Sequence, residues 1–289
     1  MIKPLYRFAL ILFVLSVVIA LTSCNKTESN IVTTDQLVTS SQRDPFPEFT
    51  VRSVIAWIGY PASEIDLISE VPVDTSRIVF DYDSEKLEID PLSMTVTVKA
   101  KGNFKVTASS PDGSYSTSFN VKGEEVNKKT SKYDTSSYND YVKTLRSDWK
   151  VHGKPGETSV FIGDSFFDIR WFFTNFDNVT KDFDALCYGV SATTSCDWEI
   201  FAESFLQETD PKNIIMHIGT NNIYDDGMSE SETVSALQRM FYVIHQICPY
   251  SNIYWFNISQ RNYDVNLQKI VSKVNSRMAE WCECRSWIT

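Results

Sequence analysis

A chain of 289 residues has room for one or two domains, each large enough to bury its own core. Hydrophobic residues at 43% and charged residues at 22% make a globular composition and exclude wholesale disorder. The formal net charge of −10 argues against a nucleic-acid partner, since phosphate binding needs a basic face, and no run of like charge is long enough to be an interaction tail.

The chain opens with a targeting pattern over residues 1–23. Lys3 and Arg7 supply positive charge, and Phe8 to Leu21 is an apolar stretch of 14 residues, shorter than the roughly 20 needed to span a bilayer. It closes on Leu21-Thr22-Ser23-Cys24, which resembles a bacterial lipobox, whose cysteine is acylated and becomes the first residue of the mature protein. The resemblance implies a signal peptide over 1–23, lipidation at Cys24, and anchoring to the bacterial cell envelope, with the outer membrane the expected site. Export also implies a disulfide-permissive compartment. Beyond Cys24 the cysteines are Cys187, Cys196, Cys248, Cys282 and Cys284, so at least one stays unpaired within the chain. Cys282-Glu283-Cys284 is too tight for a zinc knuckle without partner histidines, and no metal site is expected.

Residues 24–47 are polar and rich in Ser and Thr, and read as a tether. Over 48–123 the period is two. Ile78–Phe80, Leu87–Ile89, Met94–Ala100, Asn103–Ala108 and Tyr115–Val121 are predicted strands, with turns at Lys101-Gly102 and Pro111-Asp112-Gly113. Short strands at this spacing predict a β-sandwich. The stretch resembles bacterial immunoglobulin-like modules of cell-surface proteins. Nothing in it points to chemistry; a spacer is the expected role, with weak glycan binding the alternative. Residues 124–136 read as a charged linker.

From 137 to 289 the pattern changes. Tyr138, Tyr141, Val142, Leu145 and Trp149 recur at helical spacing behind candidate caps at Ser136 and Ser137. Strands are predicted at Ser159–Gly163, Ala185–Tyr188, Asn213–Ile218 and Asn252–Phe256. Between the last two, Val234, Leu237, Phe241, Ile244 and Cys248 mark a helix lying on a sheet. Leu267, Ile270, Val274 and Met278 mark another, followed by a closing strand at Trp287-Ile288. Strands alternating with helices predict a parallel α/β sheet with its ligand at the carboxyl ends of the strands.

Three strands deliver polar residues at that end: Gly163-Asp164-Ser165, then Gly189 within Cys187-Tyr-Gly-Val-Ser191, then Gly219-Thr-Asn-Asn222. In this order they resemble three of the four motif blocks of the SGNH (GDSL-like) hydrolases, over about residues 133–289. The resemblance implies a flavodoxin-like three-layer fold and a serine esterase that needs no cofactor. Ser165 would be the catalytic nucleophile. The oxyanion hole would be the backbone N–H groups of Ser165 and Gly189 and the side-chain amide of Asn221. Asn222 stands where many members carry Asp, at a mainly structural position. Asp164 is expected to hold the turn, and Asp168 and Asp197 to be surface or capping groups.

The fourth block of the family supplies the base from an Asp-x-x-His pair, and no such pair occurs in these 289 residues. His152 precedes the first strand and belongs at the opposite end from Ser165. His217 lies inside the third strand and reads as a satisfied core histidine, and His245 lies on a helix away from the strand ends. A chain that ends before the last block is the simplest expectation. The function implied is hydrolysis of carboxylic esters, with O-acetyl groups on glycans or small molecules as candidate substrates. The alternative is a non-catalytic surface lipoprotein whose degenerate esterase domain binds glycan or packs as a structural module.

Overall fold

The computed structural model describes residues 45–126, 139–168, 183–260 and 264–289. The leader, Cys24, nearly all of the tether and most of the linker lie outside the described residues, as do Ser136 and Ser137. The described part is mixed α/β with several sheets.

Residues 46–126 build two facing sheets. β2 (Val54–Trp57), β9 (Ser116–Glu124), β8 (Gly102–Ser109) and β5 (Val79–Asp81) pair in that order, with β2 and β9 parallel. β3 (Ser63–Glu64), β7 (Thr95–Val98) and β6 (Leu87–Asp90) form the second sheet, and β1 (Thr50–Val51) pairs with β4 (Leu67–Ile68). Alternation decides which side chains point inward. Leu87, Ile89, Val96 and Val98 from one sheet and Val106, Ala108, Phe119 and Val121 from the other meet in one core. β9 runs through Glu124, so the strand extends past the boundary expected from sequence. Backbone pairing explains the extension: Glu124 stands opposite Trp57 of β2, and its carbonyl accepts the Ile58 N–H at 3.0 Å.

The second part is a parallel sheet. β10 (Ser159–Gly163), β11 (Ala185–Gly189), β12 (Asn213–His217) and β13 (Asn252–Phe256) lie in the order β11-β10-β12-β13. Ile288 adds a parallel bridge beside Ile253, so the closing run sits at the edge beyond β13. The helices are α1 (Asn139–His152), α2 (Ser195–Leu206), the short α3 (Thr220–Tyr224), α4 (Glu230–Ile247) and α5 (Val265–Glu283). Every residue of β12 is buried, as expected of a central strand. Val160, Ile162, Ile214 and Met216 share the large core with Trp149 of α1, Trp198 and Phe205 of α2, Leu237 and Phe241 of α4 and Val274 of α5. Phe167, Cys187 and Ile215 form a smaller cluster on the other face, with Phe161, Tyr254 and Phe256 packed against it. The chain moves outward from β10 in both directions, so β10 and β12 flank the point where strand order reverses, the usual crevice for a ligand.

The two parts belong to one compact unit running from Phe46 to Thr289. Trp57 leaves the sandwich core and joins the large α/β core, where its indole N–H donates to Ser235 Oγ at 3.0 Å. Arg285, whose side chain is 2% exposed, reaches Glu64 at 3.3 Å and Asp66 at 3.2 Å and lies 4.2 Å over the Trp281 ring. Tyr242 Oη accepts from the Glu64 N–H, and Trp287 donates to the Glu64 carboxylate at 2.8 Å. The sandwich is thereby packed into the α/β core, a closer relation than the expected spacer. The five described cysteines are free thiols.

Candidate active site

The register of the sheet sets the carboxyl ends level. Gly163 stands opposite Gly189 on one side and opposite His217 on the other. The chain must turn sharply after β10, and Gly163 makes that turn at φ +128° with its α-carbon against the neighbouring strand. A Cβ there would lie 2.0 Å from the His217 carbonyl oxygen, so glycine is required both by conformation and by space. Asp164 continues the ladder through its N–H to that same oxygen at 2.9 Å. Its carboxylate then accepts the Phe166 N–H at 3.0 Å and caps the 3-10 turn Ser165–Phe167. Ser165 is half-buried at the start of this turn.

Gly189 meets the turn from the side. A Cβ on it would come within 2.2 Å of the Phe167 carbonyl carbon and 2.5 Å of the Asp168 nitrogen. Asp168 is fully buried, and its Oδ2 accepts both the N–H of Ser191 at 2.8 Å and its hydroxyl at 2.6 Å. This corrects the expectation of a surface or capping group, because the carboxylate ties the loop after β11 to the turn after β10. Asp197 is the expected cap, with Thr194 in a capping box at the start of α2, though it is buried rather than at the surface.

Thr193 joins the third strand end to the first two. Its hydroxyl donates to the Val190 oxygen at 2.7 Å and lies 3.3 Å from the Gly163 oxygen, which also accepts from Val190 N–H and the Trp198 indole. Its own carbonyl accepts from Asn221 Nδ2 at 2.8 Å. A carbonyl only accepts, so this contact decides which way the Asn221 amide points and commits one of its two N–H bonds. Asn222 is fully buried and serves structure: its Oδ1 accepts from Ser195 N–H, and its Nδ2 donates to Ser195 Oγ and Met228 Sδ. Gly189 thus packs against the turn that begins at Ser165, and Asn221 is tied to the end of β10 through Thr193, while Cys24 lies outside the described residues.

The three histidines are apart from one another. His152 ends α1, before β10 begins, and its exposed ring faces Asp148 at 3.6 Å. His245 stacks on Trp287 at 4.2 Å, and burial lowers its pKa. His217 is beside the candidate site, with Nδ1 3.0 Å from Asp164 Oδ1 and its ring stacked 4.5 Å from that of Phe166. Its Nε2 is buried without a hydrogen-bond partner among the described residues, where sequence predicts a satisfied core histidine. The Asp164 contact is foreshadowed only by a polar residue standing in an otherwise apolar strand. A cleft of about 710 Å³ lies elsewhere, lined by Trp57, Glu124, Cys196, Met228 and Arg239. Its lining also carries Glu125, Asp226 and Glu232, and Arg239 is itself paired with Glu199 at 2.6 Å. The convergence of strand ends marks the site better than this larger cleft does.

No family model and no curated protein matches this sequence. Among solved structures, the fold is similar to GDSL/SGNH-like lipases and acylhydrolases. A GDSL-like lipase from Bacteroides thetaiotaomicron is 13% identical with a TM-score of 0.42, over 50% of this chain and 74% of that one. A mutant acetyl-xylooligosaccharide esterase from Geobacillus is 18% identical with a TM-score of 0.35, over 47% and 76%. A carbohydrate esterase family 3 protein from Talaromyces cellulolyticus is 13% identical, also at 0.35, over 45% and 76%. Likeness at this distance carries no argument about chemistry, which has to come from the site itself.

Proposed function

We propose that the α/β part is a carboxylic ester hydrolase of the SGNH type with Ser165 as its nucleophile. The observation that carries this reading is the mutual locking of three strand ends: Gly189 against the Ser165 turn, and Asn221 held through Thr193 to Gly163. Acyl transfer needs a hydroxyl at an exposed turn and rigid donors for the oxyanion that forms when it attacks a carbonyl. Ser165 Oγ bonds to the acyl carbon, the alcohol leaves with the proton, and water then releases the acid from the acyl-enzyme. The Ser165 and Gly189 N–H groups and the free N–H of Asn221 are the donors in this scheme. O-acetyl groups on glycans or small molecules are the proposed substrates. The test is labelling by an alkyl fluorophosphonate, read by intact mass. One slowly formed adduct on the wild type, at the rate an unassisted serine hydroxyl allows, and none on Ser165→Ala is expected; labelling that survives Ser165→Ala refutes the nucleophile.

A second reading has one observation in its favour. No described histidine is hydrogen-bonded to Ser165, so the alternative is a non-catalytic glycan-binding or structural module on the same scaffold. Absence of any adduct would select it. The strand order β2-β9-β8-β5 facing β3-β7-β6 supports an immunoglobulin-like identity for the sandwich. The lipobox-like Leu21–Cys24 supports an envelope lipoprotein, and Cys24→Ser should then move the protein from the membrane fraction to the soluble one.

A further inference from the structure

His217 grips both neighbours of Ser165. Its carbonyl oxygen accepts the Asp164 N–H at 2.9 Å, its Nδ1 lies 3.0 Å from Asp164 Oδ1, and its ring stacks on Phe166 at 4.5 Å and 22°. The side chains of Asp164 and His217 are 3% and 8% exposed. Asp164 Oδ1 already takes the Phe166 N–H at 3.0 Å, so the same oxygen carries both the turn cap and the imidazole contact. Because a carboxylate oxygen accepts, the contact fits the tautomer in which Nδ1 of His217 is the donor. Nε2, buried with no partner, is then bare whenever the ring is neutral. A carboxylate this deeply buried would lose much of its hold on the turn if its second donor were removed.

We propose that His217 is a positioning residue for Ser165, acting through Asp164 and Phe166 to fix the turn that presents the hydroxyl. The inference rests on the reading of Ser165 as nucleophile. It accounts for a histidine side chain at the end of a buried central strand. The role is mechanical: it sets where Oγ stands and leaves the affinity for the acyl group untouched.

The test uses the full 289-residue chain and the rate of Ser165 phosphonylation by an alkyl fluorophosphonate, resolved into kinact and KI. His217→Leu should lower kinact by about 10–100-fold with little change in KI, the penalty of a nucleophile displaced by about 1 Å. His217→Asn, whose amide nitrogen can take the place of Nδ1, should recover most of that rate. A Leu variant that labels like wild type overturns the inference and leaves Ser165 as nucleophile. Equal loss in Leu and Asn variants also overturns it, because the imidazole would then act as a base. A wild type that does not label overturns the Ser165 reading and the inference with it. Should His217→Leu fail to fold, nitrogen-15 shifts of the wild-type ring decide: the neutral Nδ1–H tautomer is expected, and the Nε2–H tautomer refutes the contact.

Discussion

Gly189 stands so close to Phe167 that a single added methyl would lie 2.2 Å from the Phe167 carbonyl carbon. Backbone atoms at that distance cannot yield by a rotamer change, so the turn itself would have to move. Gly189→Ala should cost at least about 1–3 kcal/mol of stability, the ordinary range for overpacking. Phosphonylation of Ser165 should fall with it. A denaturation midpoint and labelling rate equal to wild type would show that the two strand ends are not in contact.

Asn221 and Asn222 are neighbours with separable roles. Asn221→Ala should slow phosphonylation of Ser165 by about 10²–10³ through loss of an oxyanion donor. It also leaves the buried Thr193 carbonyl without its donor, at roughly 1–3 kcal/mol. Asn222→Ala removes the bonds to Ser195 and Met228 and should appear mainly in stability. The comparison of labelling rate with unfolding midpoint for the two variants is the measurement. An Asn221→Ala protein that labels at the wild-type rate removes that residue from the site.

Turnover by the 289-residue chain should be faint. A serine hydroxyl is a weak nucleophile at neutral pH unless a base lies within hydrogen-bond reach, and Ser165 has no described histidine so placed. An oxyanion hole and binding alone leave about 10³–10⁴-fold catalysis over water when triad members are missing. Hydrolysis of p-nitrophenyl acetate, compared with Ser165→Ala, checks this. Robust Ser165-dependent turnover would contradict it.

Arg285 should be among the most costly residues to remove. Its guanidinium is buried against Glu64, Asp66 and Tyr242, which lie on different parts of the chain. Breaking a buried ion pair on one side typically costs about 3–5 kcal/mol, because the remaining charges lose their partner. Arg285→Ala should lower the unfolding midpoint accordingly and loosen the sandwich from the α/β core. Faster proteolysis within residues 46–126 would report the loosening. A change in midpoint near zero would mean that these contacts do not bind the two parts.

The elements that sequence predicts best are those whose signal is local. β10 and β13 fall on the residues expected, because short apolar runs bounded by glycine or polar residues leave few other conformations. The order of Ser165, Gly189 and Asn221 is legible for the same reason: each follows a recognisable strand. The packing of Trp57 onto Ser235 has no such signal, since the partners are 178 residues apart and neither stands in a motif. An aspartate beside a turn is usually a surface group, and nothing local marks Asp168 as buried, because its partner Ser191 lies on a different loop. The strand that carries His217 is legible from its apolar run, but the contact with Asp164 depends on the register of β10 against β12, which periodicity alone does not give.

The parallel pairing of Ile288 beside Ile253 has a practical side. Thr289 donates to and accepts from β13, so the chain leaves the sheet pointing the same way as β10. Three strand spacings of about 4.8 Å separate that exit from the strand carrying Ser165, roughly 14 Å in all. Anything fused behind Thr289 is delivered to the mouth of the candidate site. A C-terminal polyhistidine tag would bring stray imidazoles towards Ser165 and could supply a proton acceptor where the described histidines do not. Assays of this protein therefore call for a handle at the amino end.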